Sequence, residues 1–146
     1  PAWIWTPPRS RHSMAAKSRT LLMFSAISGF FYVAFGAFAT HKLAPHLSPQ
    51  HWEYIQLAMR YQIVHTLLLV GLAAILMRKT ILWFYWAGIF FGLGILLFSG
   101  SLYCMALTQV RLLSYFTPIG GFSFLIGWIL IFIGALRLRT PASRHE

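Results

Sequence analysis

The chain has 146 residues, of which 58% are hydrophobic and only 10% are charged, and its mean hydropathy is +0.68. Soluble domains carry about 25% charged residues, so this composition argues against disorder, a disulfide scaffold and an ordinary water-soluble domain. The formal net charge is +10, but the basic residues lie between long apolar runs rather than on one basic face, so no nucleic-acid partner is expected. The composition indicates an integral membrane protein.

The first 13 residues differ from the rest of the chain. They lack the basic start and the continuous apolar stretch of a signal peptide, and Met14-Ala15-Ala16-Lys17 resembles a natural start. We expect residues 1–13 to be a non-native or mobile extension and residues 14–146 to form a single transmembrane domain. A short interfacial anchor built on Trp3 and Trp5 is the alternative, because aromatic residues are enriched at membrane interfaces.

Four apolar runs are long enough, or nearly so, to cross a hydrocarbon core, which takes about 20 helical residues. They predict spans at about residues 21–40, 58–77, 81–102 and 118–136. Ser48-Pro49 predicts an earlier start for the second helix, because serine is a favoured N-cap and proline is favoured at the first helical position. The short connection Arg78-Lys79-Thr80 predicts antiparallel neighbours. The predicted fold class is an all-α membrane protein with four transmembrane helices in a compact antiparallel bundle.

The distribution of lysine and arginine predicts the orientation, because cytoplasmic loops carry the excess of basic residues. One side of the predicted bundle holds nine of them: Arg9, Arg11, Lys17, Arg19, Arg78, Lys79, Arg137, Arg139 and Arg144. The other side holds three: Lys42, Arg60 and Arg111. We therefore expect both termini in the cytoplasm, with the net charge facing anionic lipid there.

Small residues recur at helical spacing in three of the four predicted spans. Lipid provides no hydrophobic force between helices, so close packing at small side chains is expected to supply much of the association. The predicted helix-packing residues are Ser25, Gly29, Gly36, Gly88, Gly92, Gly120, Gly127 and Gly134. Their intervals of mostly four and seven residues favour a left-handed bundle.

Polar residues gather in the outer half of the predicted bundle. The candidate outer-side polar cluster contains Thr40, His41, Arg60, Tyr61, His65, Ser99, Ser101, Tyr103 and Thr117. Tyr61 and His65 are four residues apart and share a helix face. An ionisable residue inside a span is a functional-site hypothesis, whereas the structural interpretation is that His65 links helices two and three. We expect a neutral His65 hydrogen-bonded to Ser99, Ser101, Tyr103 or Thr40, because charging it inside the membrane is costly.

Other chemistries lack the residues they need. His41, His46 and His51 are spaced by five residues, which fits no common zinc pattern. Haem ligation by His41 and His65 has no further support in the sequence. Two-carboxylate hydrolysis and a Ser-His-Asp triad lack their acids, and the lone Cys104 is more typical of packing than of chemistry. We expect no metal, no cofactor and no enzymatic activity.

Four ordered motifs resemble a known family. They are Gly36-Ala37-Phe38-Ala39-Thr40-His41, Tyr61-Gln62-Ile63-Val64-His65-Thr66-Leu67, Leu97-Phe98-Ser99-Gly100-Ser101-Leu102-Tyr103 and Thr117-Pro118-Ile119-Gly120-Gly121. Together they are similar to the YgdD-like family of small bacterial inner-membrane proteins, over residues 14–146. The first motif departs from the family pattern Gly-Ala-Phe-Gly-Ala-His at Ala39 and Thr40. The resemblance implies a multi-pass inner-membrane protein with four helices, and it implies no activity, substrate or catalytic residue.

Two functional hypotheses follow from the residues. The first is a non-enzymatic accessory or interaction subunit, with membrane lipids and a larger membrane complex or further copies of itself as partners. The second is a binder or minor transporter of a lipid, quinone or other small amphiphile that uses the outer-side polar cluster.

Overall fold

The described part of the chain consists of helices joined by short connections. The computed structural model describes residues 9–138, with side chains from residue 13 onward. The α-helices are α1 (Arg9–Phe38), α2 (Pro49–Arg78), α3 (Leu82–Gly94), α4 (Gly100–Thr108) and α5 (Phe116–Leu136). Two π-helical turns (Ala39–Leu43 and Ile95–Ser99) and two 3-10 turns (Ala44–His46 and Arg111–Tyr115) extend or join them. No strand occurs within residues 9–138.

These elements combine into four helical segments that are long and apolar enough to cross a membrane: Ser13–His46, Pro49–Arg78, Leu82–Thr108 and Arg111–Leu136. The shortest has 26 residues and is therefore about 39 Å long at 1.5 Å per residue. The prediction of four membrane-spanning helices is confirmed. The third segment contains α3 and α4, which the π turn Ile95–Ser99 joins without a break.

The helix termini differ in part from the predicted spans. Helix α1 begins at Arg9, well before the predicted start at residue 21. The proposed extension at residues 1–13 therefore overlaps the helix in its last part, while residues 1–8, with Trp3 and Trp5, lie outside the described residues. The basic residues Arg139 and Arg144 also lie outside them.

Local hydrogen bonds explain where α2 begins and where α4 ends. Ser48 is the N-cap of α2, since its hydroxyl accepts from the backbone N–H of His51 at 3.3 Å, and Pro49 is the first helical residue. The helix thus begins where the Ser48-Pro49 pattern predicts. Helix α4 ends at Thr108, and the next residue, Gln109, adopts a left-handed conformation with φ of 59° and donates its N–H to the Met105 carbonyl. That geometry satisfies one of the last carbonyls of the helix.

The buried apolar side chains form two clusters along the helices. One joins the N-terminal part of α1, the C-terminal part of α2, α3 and α5, and includes Leu21, Leu69, Leu72, Phe84, Phe91, Ile95 and Phe124. The other joins the opposite ends of α1 and α2 with α4, and includes Ala39, Ile55, Ala58, Leu102, Met105 and Ala106. Several buried polar residues lie between the two clusters in sequence on each of α1 and α2.

Aromatic side chains of α3 and the following π turn pack directly on glycines of α5. A Cβ on Gly127 would lie 2.5 Å from the Phe91 ring, and one on Gly134 would lie 2.6 Å from the Phe84 ring. Gly120 lies against the backbone of Phe98, where its Cβ would lie 2.7 Å from the Phe98 Cα. The predicted packing positions on α5 are therefore places where only hydrogen fits between the helices.

The other predicted packing positions fit less tightly. Gly36 lies under the Met59 side chain and Gly88 under Leu21, and both partners are flexible side chains. A Cβ on Gly29 or Gly92 would make ordinary contacts, at 3.9 Å from Thr66 and 3.7 Å from Phe24.

The contact at Gly120 generates a stability prediction. Gly120→Ala should destabilise the folded protein by about 1–3 kcal/mol, because the new methyl group meets backbone rather than a movable side chain. The matched control is Gly121→Ala, whose Cβ would lie 3.8 Å from the Phe98 ring, an ordinary contact. Thermal or denaturant unfolding in detergent measures both variants. Equal stability of the two variants would contradict the described fit of α5 against the π turn.

Candidate functional site

Six buried polar residues form a layer that crosses the middle of the described helices. We define this polar layer as Ser28, Gln62, His65, Thr66, Ser99 and Tyr103. Gln62 and His65 lie close to the midpoint of α2, and Ser28 lies close to the midpoint of the segment Ser13–His46. Buried polar groups inside a hydrocarbon phase need internal partners, since lipid tails offer none.

Gln62 is the centre of a hydrogen-bond network that joins α1, α2 and α4. Its side-chain oxygen accepts from the Tyr103 hydroxyl at 2.6 Å. Its amide nitrogen donates to both the backbone carbonyl and the hydroxyl of Ser28, at 3.0 and 3.1 Å. The Ser28 hydroxyl also bonds to the Thr66 hydroxyl at 2.7 Å. Gln62 is only 3% exposed, and its amide group is engaged at both ends by other helices.

The π turn contributes to the same layer. The Ser99 hydroxyl, at the end of Ile95–Ser99, donates to the Ala58 carbonyl of α2 at 2.8 Å. Tyr103 follows four residues later, on the same face of the helix as Ser99. A π turn inserts an extra residue into the helical ladder and changes its register. In this chain the turn ends with Ser99 and is followed directly by the helix that carries Tyr103, and these two side chains of the third segment bond to α2.

Hydroxyl groups outside the layer make similar links between helices. The Ser18 hydroxyl donates to the Ala73 carbonyl at 2.7 Å, and the Ser123 hydroxyl donates to the Phe90 carbonyl at 2.7 Å. Ser101 and Thr117 share a hydrogen bond of 2.6 Å between α4 and α5. Interhelical hydrogen bonds in membrane proteins contribute about 0.6 kcal/mol on average, so the combined effect of several is substantial.

His65 is the exception within the layer. It is 4% exposed, and its ring stacks on Phe124 with centroids 3.7 Å apart and an interplanar angle of 13°. Phe91 and Trp128 complete the surroundings, with centroid distances of 5.1 and 6.3 Å. The Nδ1 atom bonds to the Tyr61 carbonyl of its own helix at 2.7 Å. The Nε2 atom is buried and has no hydrogen-bond partner among the described residues.

The predicted partners of His65 need correction. Ser99 and Tyr103 are engaged with Ala58 and Gln62, and Ser101 is engaged with Thr117. The Thr40 hydroxyl donates to the Gly36 carbonyl, four residues earlier in the same helical segment. The expectation that His65 bonds to one of these four side chains is wrong, because its only polar partner is a backbone carbonyl one turn earlier. A hydrogen bond within one helix does not link helices two and three.

The candidate outer-side polar cluster does not come together as one site. Thr40, His41 and Arg60 are exposed on the surface of the bundle. Tyr61 is 41% exposed and packs its ring on Phe98, with centroids 4.4 Å apart. Ser99 and Tyr103 join the polar layer, whereas Ser101 and Thr117 form a separate pair. The predicted shared face of Tyr61 and His65 is present, since their rings stack at a centroid distance of 6.1 Å.

The candidate cluster predicted from the sequence lacks Gln62, Ser28 and Thr66. A signal for Gln62 was present: Ile55, Gln62, Leu69 and Leu76 recur at intervals of seven and are all buried. A glutamine within such a repeat lies on the packed face of its helix. No comparable signal marks Ser28, because its partners come from α2.

The histidines of the outer connection do not form a metal site in the described structure. Within the part of the chain that the structure describes, no three His, Cys, Asp or Glu residues lie close enough to hold a metal ion. His41 and His46 are exposed, and the His51 Nδ1 atom bonds to the Ser48 hydroxyl at 2.7 Å. Cys104 is also exposed on the outside of the bundle.

Comparison with known proteins identifies the family. Residues 35–121 match the family model described as "Protein of unknown function (DUF423)". The chain belongs to the DUF423 family. This match spans Gln62, His65, Ser99 and Tyr103, but not Phe124 or Trp128.

Relatives cover most of the chain. It is 48% identical over 129 residues to the "UPF0382 inner membrane protein YgdD" of Escherichia coli K12, which covers 88% of this chain and 98% of that protein. It is 39% identical over 121 residues to a "UPF0382 membrane protein" of Staphylococcus epidermidis, which covers 82% of this chain and 97% of that protein. No solved structure matches the chain. The expected YgdD-like family and the multi-pass inner-membrane location are confirmed.

The network around Gln62 generates a second stability prediction. Gln62→Leu should destabilise the protein by about 1–3 kcal/mol, because it leaves the buried Tyr103 hydroxyl without its acceptor. The matched control is Gln56→Leu, an exposed position on the same helix, which should be nearly neutral. Unfolding in the same detergent compares the two variants. A Gln62→Leu protein as stable as Gln56→Leu would show that the network contributes nothing to stability.

Proposed function

We propose that this DUF423 protein is a non-enzymatic accessory or interaction subunit of the inner membrane. The observation that carries the proposal is the use of its buried polar side chains. Gln62, Ser28, Thr66, Ser99 and Tyr103 are all engaged in bonds between helices. Groups committed to such bonds hold the helices together and are not free to bind or transform a substrate.

The placement of the ionisable residues supports the same proposal. Catalysis that pairs a general acid with a general base needs both groups within reach of one reacting bond. Glu53 is exposed near the start of α2, far along the helix from His65, which lies among aromatic rings. The separation of 12 residues corresponds to about 18 Å at 1.5 Å per residue.

The proposed topology is an antiparallel bundle with both termini in the cytoplasm. The hydrogen bonds between α1 and α2 support it. Ser18 pairs with Ala73, whereas Ser28, farther along α1, pairs with Thr66, which is earlier in α2. Partner numbers that fall as residue numbers rise are typical of antiparallel helices. The basic residues Lys17, Arg19, Arg78, Lys79 and Arg137 lie at the ends assigned to the cytoplasm.

Cysteine labelling tests the orientation. In a Cys104→Ala background, a membrane-impermeant maleimide applied to intact spheroplasts should label Gln109→Cys and leave Lys79→Cys unlabelled. Both positions are exposed in the connections that flank the third span, and permeabilised membranes should label both equally. Labelling of Lys79→Cys alone in intact spheroplasts would contradict this orientation and indicate the opposite one.

The first span offers the most surface for a lateral partner. Only 22% of its most apolar stretch is buried inside the bundle, compared with 50% for the third span. The connections between the described spans are short, so a partner would bind mainly within the membrane. Helix α1 packs mostly on α2 and leaves its opposite face free. We assign the interaction surface to this free face of α1, with a larger membrane complex as the partner.

Photo-crosslinking tests the assignment. A photoreactive residue in place of Phe30, which is 77% exposed on α1, should give a discrete protein adduct in native membranes. The matched position is Phe132, which is 64% exposed on α5 and should give lipid adducts alone. Lipid adducts alone from both positions would contradict the accessory role. An adduct of twice the chain's mass would identify a second copy as the partner.

A second candidate function is the binding of a small amphiphile within the bundle. The observation that favours it is the unpaired Nε2 atom of His65, which the network of hydrogen bonds does not use. Intramembrane ionisable residues commonly mark ligand or ion sites.

A further inference from the structure

The hydrogen bond of His65 determines which ring nitrogen is free. A backbone carbonyl can only accept, so Nδ1 donates its proton to the Tyr61 oxygen. In the neutral ring Nε2 then carries a lone pair and is a hydrogen-bond acceptor. A charged ring would place an unpaired N–H and a net charge among Phe91, Phe124 and Trp128, which is costly in a membrane. His65 thus offers one unused acceptor in the middle of the bundle.

An apolar cleft lies between α2 and α5, one side chain away from the His65 ring. Its volume is about 500 Å³, and it is open along one side. On α2 it is lined from Val64 to Ile75, which is about 16 Å along the axis at 1.5 Å per residue. Phe84, Trp128 and Ile131 form the opposite wall. The volume lies in the range of about 300–1,000 Å³ that small-molecule sites occupy.

Trp128 connects the cleft to His65. Its indole ring lines the cleft and also stands edge-on to the His65 ring. The Trp128 side chain is partly exposed and makes a second edge-on contact with Phe91. For a ligand in the cleft to reach the buried Nε2 atom of His65, the Trp128 side chain has to move.

A second cleft provides a contrast. It lies between α1 and the third span, has a volume of about 340 Å³, and borders Ser28, Gln62, Ser99 and Tyr103. The polar side chains that border this cleft already bond to each other or to α2. Each of these polar side chains therefore already has a hydrogen-bond partner, unlike the Nε2 atom of His65.

We propose that the α2–α5 cleft binds a single-chain amphiphile whose terminal hydroxyl donates to the Nε2 atom of His65. This inference rests on the second candidate function and specifies its site and ligand class. A buried water needs two to four polar partners, whereas the rings around Nε2 leave a water only one. A hydroxyl attached to an apolar chain needs only that one acceptor, because its chain fills the rest of the cleft.

The test uses 1-dodecanol as the probe and dodecyl methyl ether as the matched compound without a donor. The protein is labelled with ¹⁵N-histidine in lipid nanodiscs, and the His65 resonances are assigned by their loss in His65→Leu. Saturable movement of the Nε2 resonance with 1-dodecanol, and none with the ether, is the expected result. His65→Gln should retain probe binding in native mass spectrometry, because its side-chain oxygen is an acceptor, whereas His65→Leu should lose it.

Two glycines provide matched variants that fill one cleft each. A Cβ on Gly71 or Gly100 would meet no atom within 4 Å, and both variants remove a glycine from a helix, so both should fold. Gly71 lines the α2–α5 cleft and Gly100 lines the second cleft. Gly71→Leu should weaken the apparent 1-dodecanol affinity by about tenfold or more, because it fills the cleft. Gly100→Leu should leave the affinity unchanged.

The possible outcomes distinguish a failure of this binding site from a failure of the second candidate function. Equal movement of the resonance with alcohol and ether would overturn the hydrogen bond. Binding lost in Gly100→Leu but kept in Gly71→Leu would overturn this site and leave amphiphile binding standing. An Nε2 resonance already hydrogen-bonded without probe, and released in Trp128→Phe, would assign the acceptor to the Trp128 indole N–H and overturn the proposal. Absence of bound 1-dodecanol in the wild type and all variants would overturn both the site and the second candidate function.

Discussion

Lipid tails cannot exchange hydrogen bonds with a protein, so each polar side chain inside the bundle needs a partner from the chain itself. Gln62 meets this constraint for three helices at once. Its oxygen accepts from Tyr103 on α4, and its nitrogen donates twice to Ser28 on α1. An amide suits this position, because it offers an acceptor at one end and two donors at the other. Through these bonds, one side chain of α2 contacts both α1 and α4.

The α3–α5 interface is built on a different interaction. Here the rings of Phe84 and Phe91 lie on Gly134 and Gly127, and the Phe98 backbone lies on Gly120. Close packing of this kind gains dispersion energy from many small contacts rather than from a few polar bonds. One side of the bundle is therefore held by hydrogen bonds of the polar layer, and the other side by rings against glycines together with the Ser123–Phe90 hydrogen bond. His65 lies where the two interfaces meet, stacked on Phe124 of α5.

Much of the fold followed from the sequence, because its signals are local. Four long apolar runs predict four spans, and Ser48-Pro49 predicts the start of α2, which the structure has at Pro49. The small residues of α5 were also recognisable from their spacing. These features depend on composition and helical periodicity, which are readable without knowledge of the neighbouring helix.

The candidate site was harder to predict, because it depends on register between helices. Depth alone groups Thr40 and His41 with His65, yet both are exposed. Ser28 was absent from the predicted cluster, whereas its hydroxyl bonds to Gln62 and Thr66 near the middle of α2. The π turn at Ile95–Ser99 adds a change of register that no residue pattern announces. The spacing of residues within one helix does not specify which face of a neighbouring helix those residues contact.

The hydrogen-bond network has a functional consequence, because it leaves one buried polar atom without a partner among the described residues. Because Gln62 bonds to Tyr103 and Ser28, those groups already have partners within the bundle, which supports the proposed accessory role. His65 stands apart, with one acceptor that the fold does not use. Both proposed functions thus depend on which buried polar atoms have a hydrogen-bond partner and which do not.

The central claim is that Gln62 couples α1 to α4. A double-mutant cycle with Ser28→Ala and Tyr103→Phe, repeated in a Gln62→Leu background, tests it most directly by unfolding in detergent. Ser28 and Tyr103 are each bonded to Gln62, so a shared network predicts a coupling free energy above about 0.5 kcal/mol with Gln62 present. That coupling should vanish once Gln62 is leucine. Additive effects with Gln62 present, or equal coupling in both backgrounds, would contradict the account.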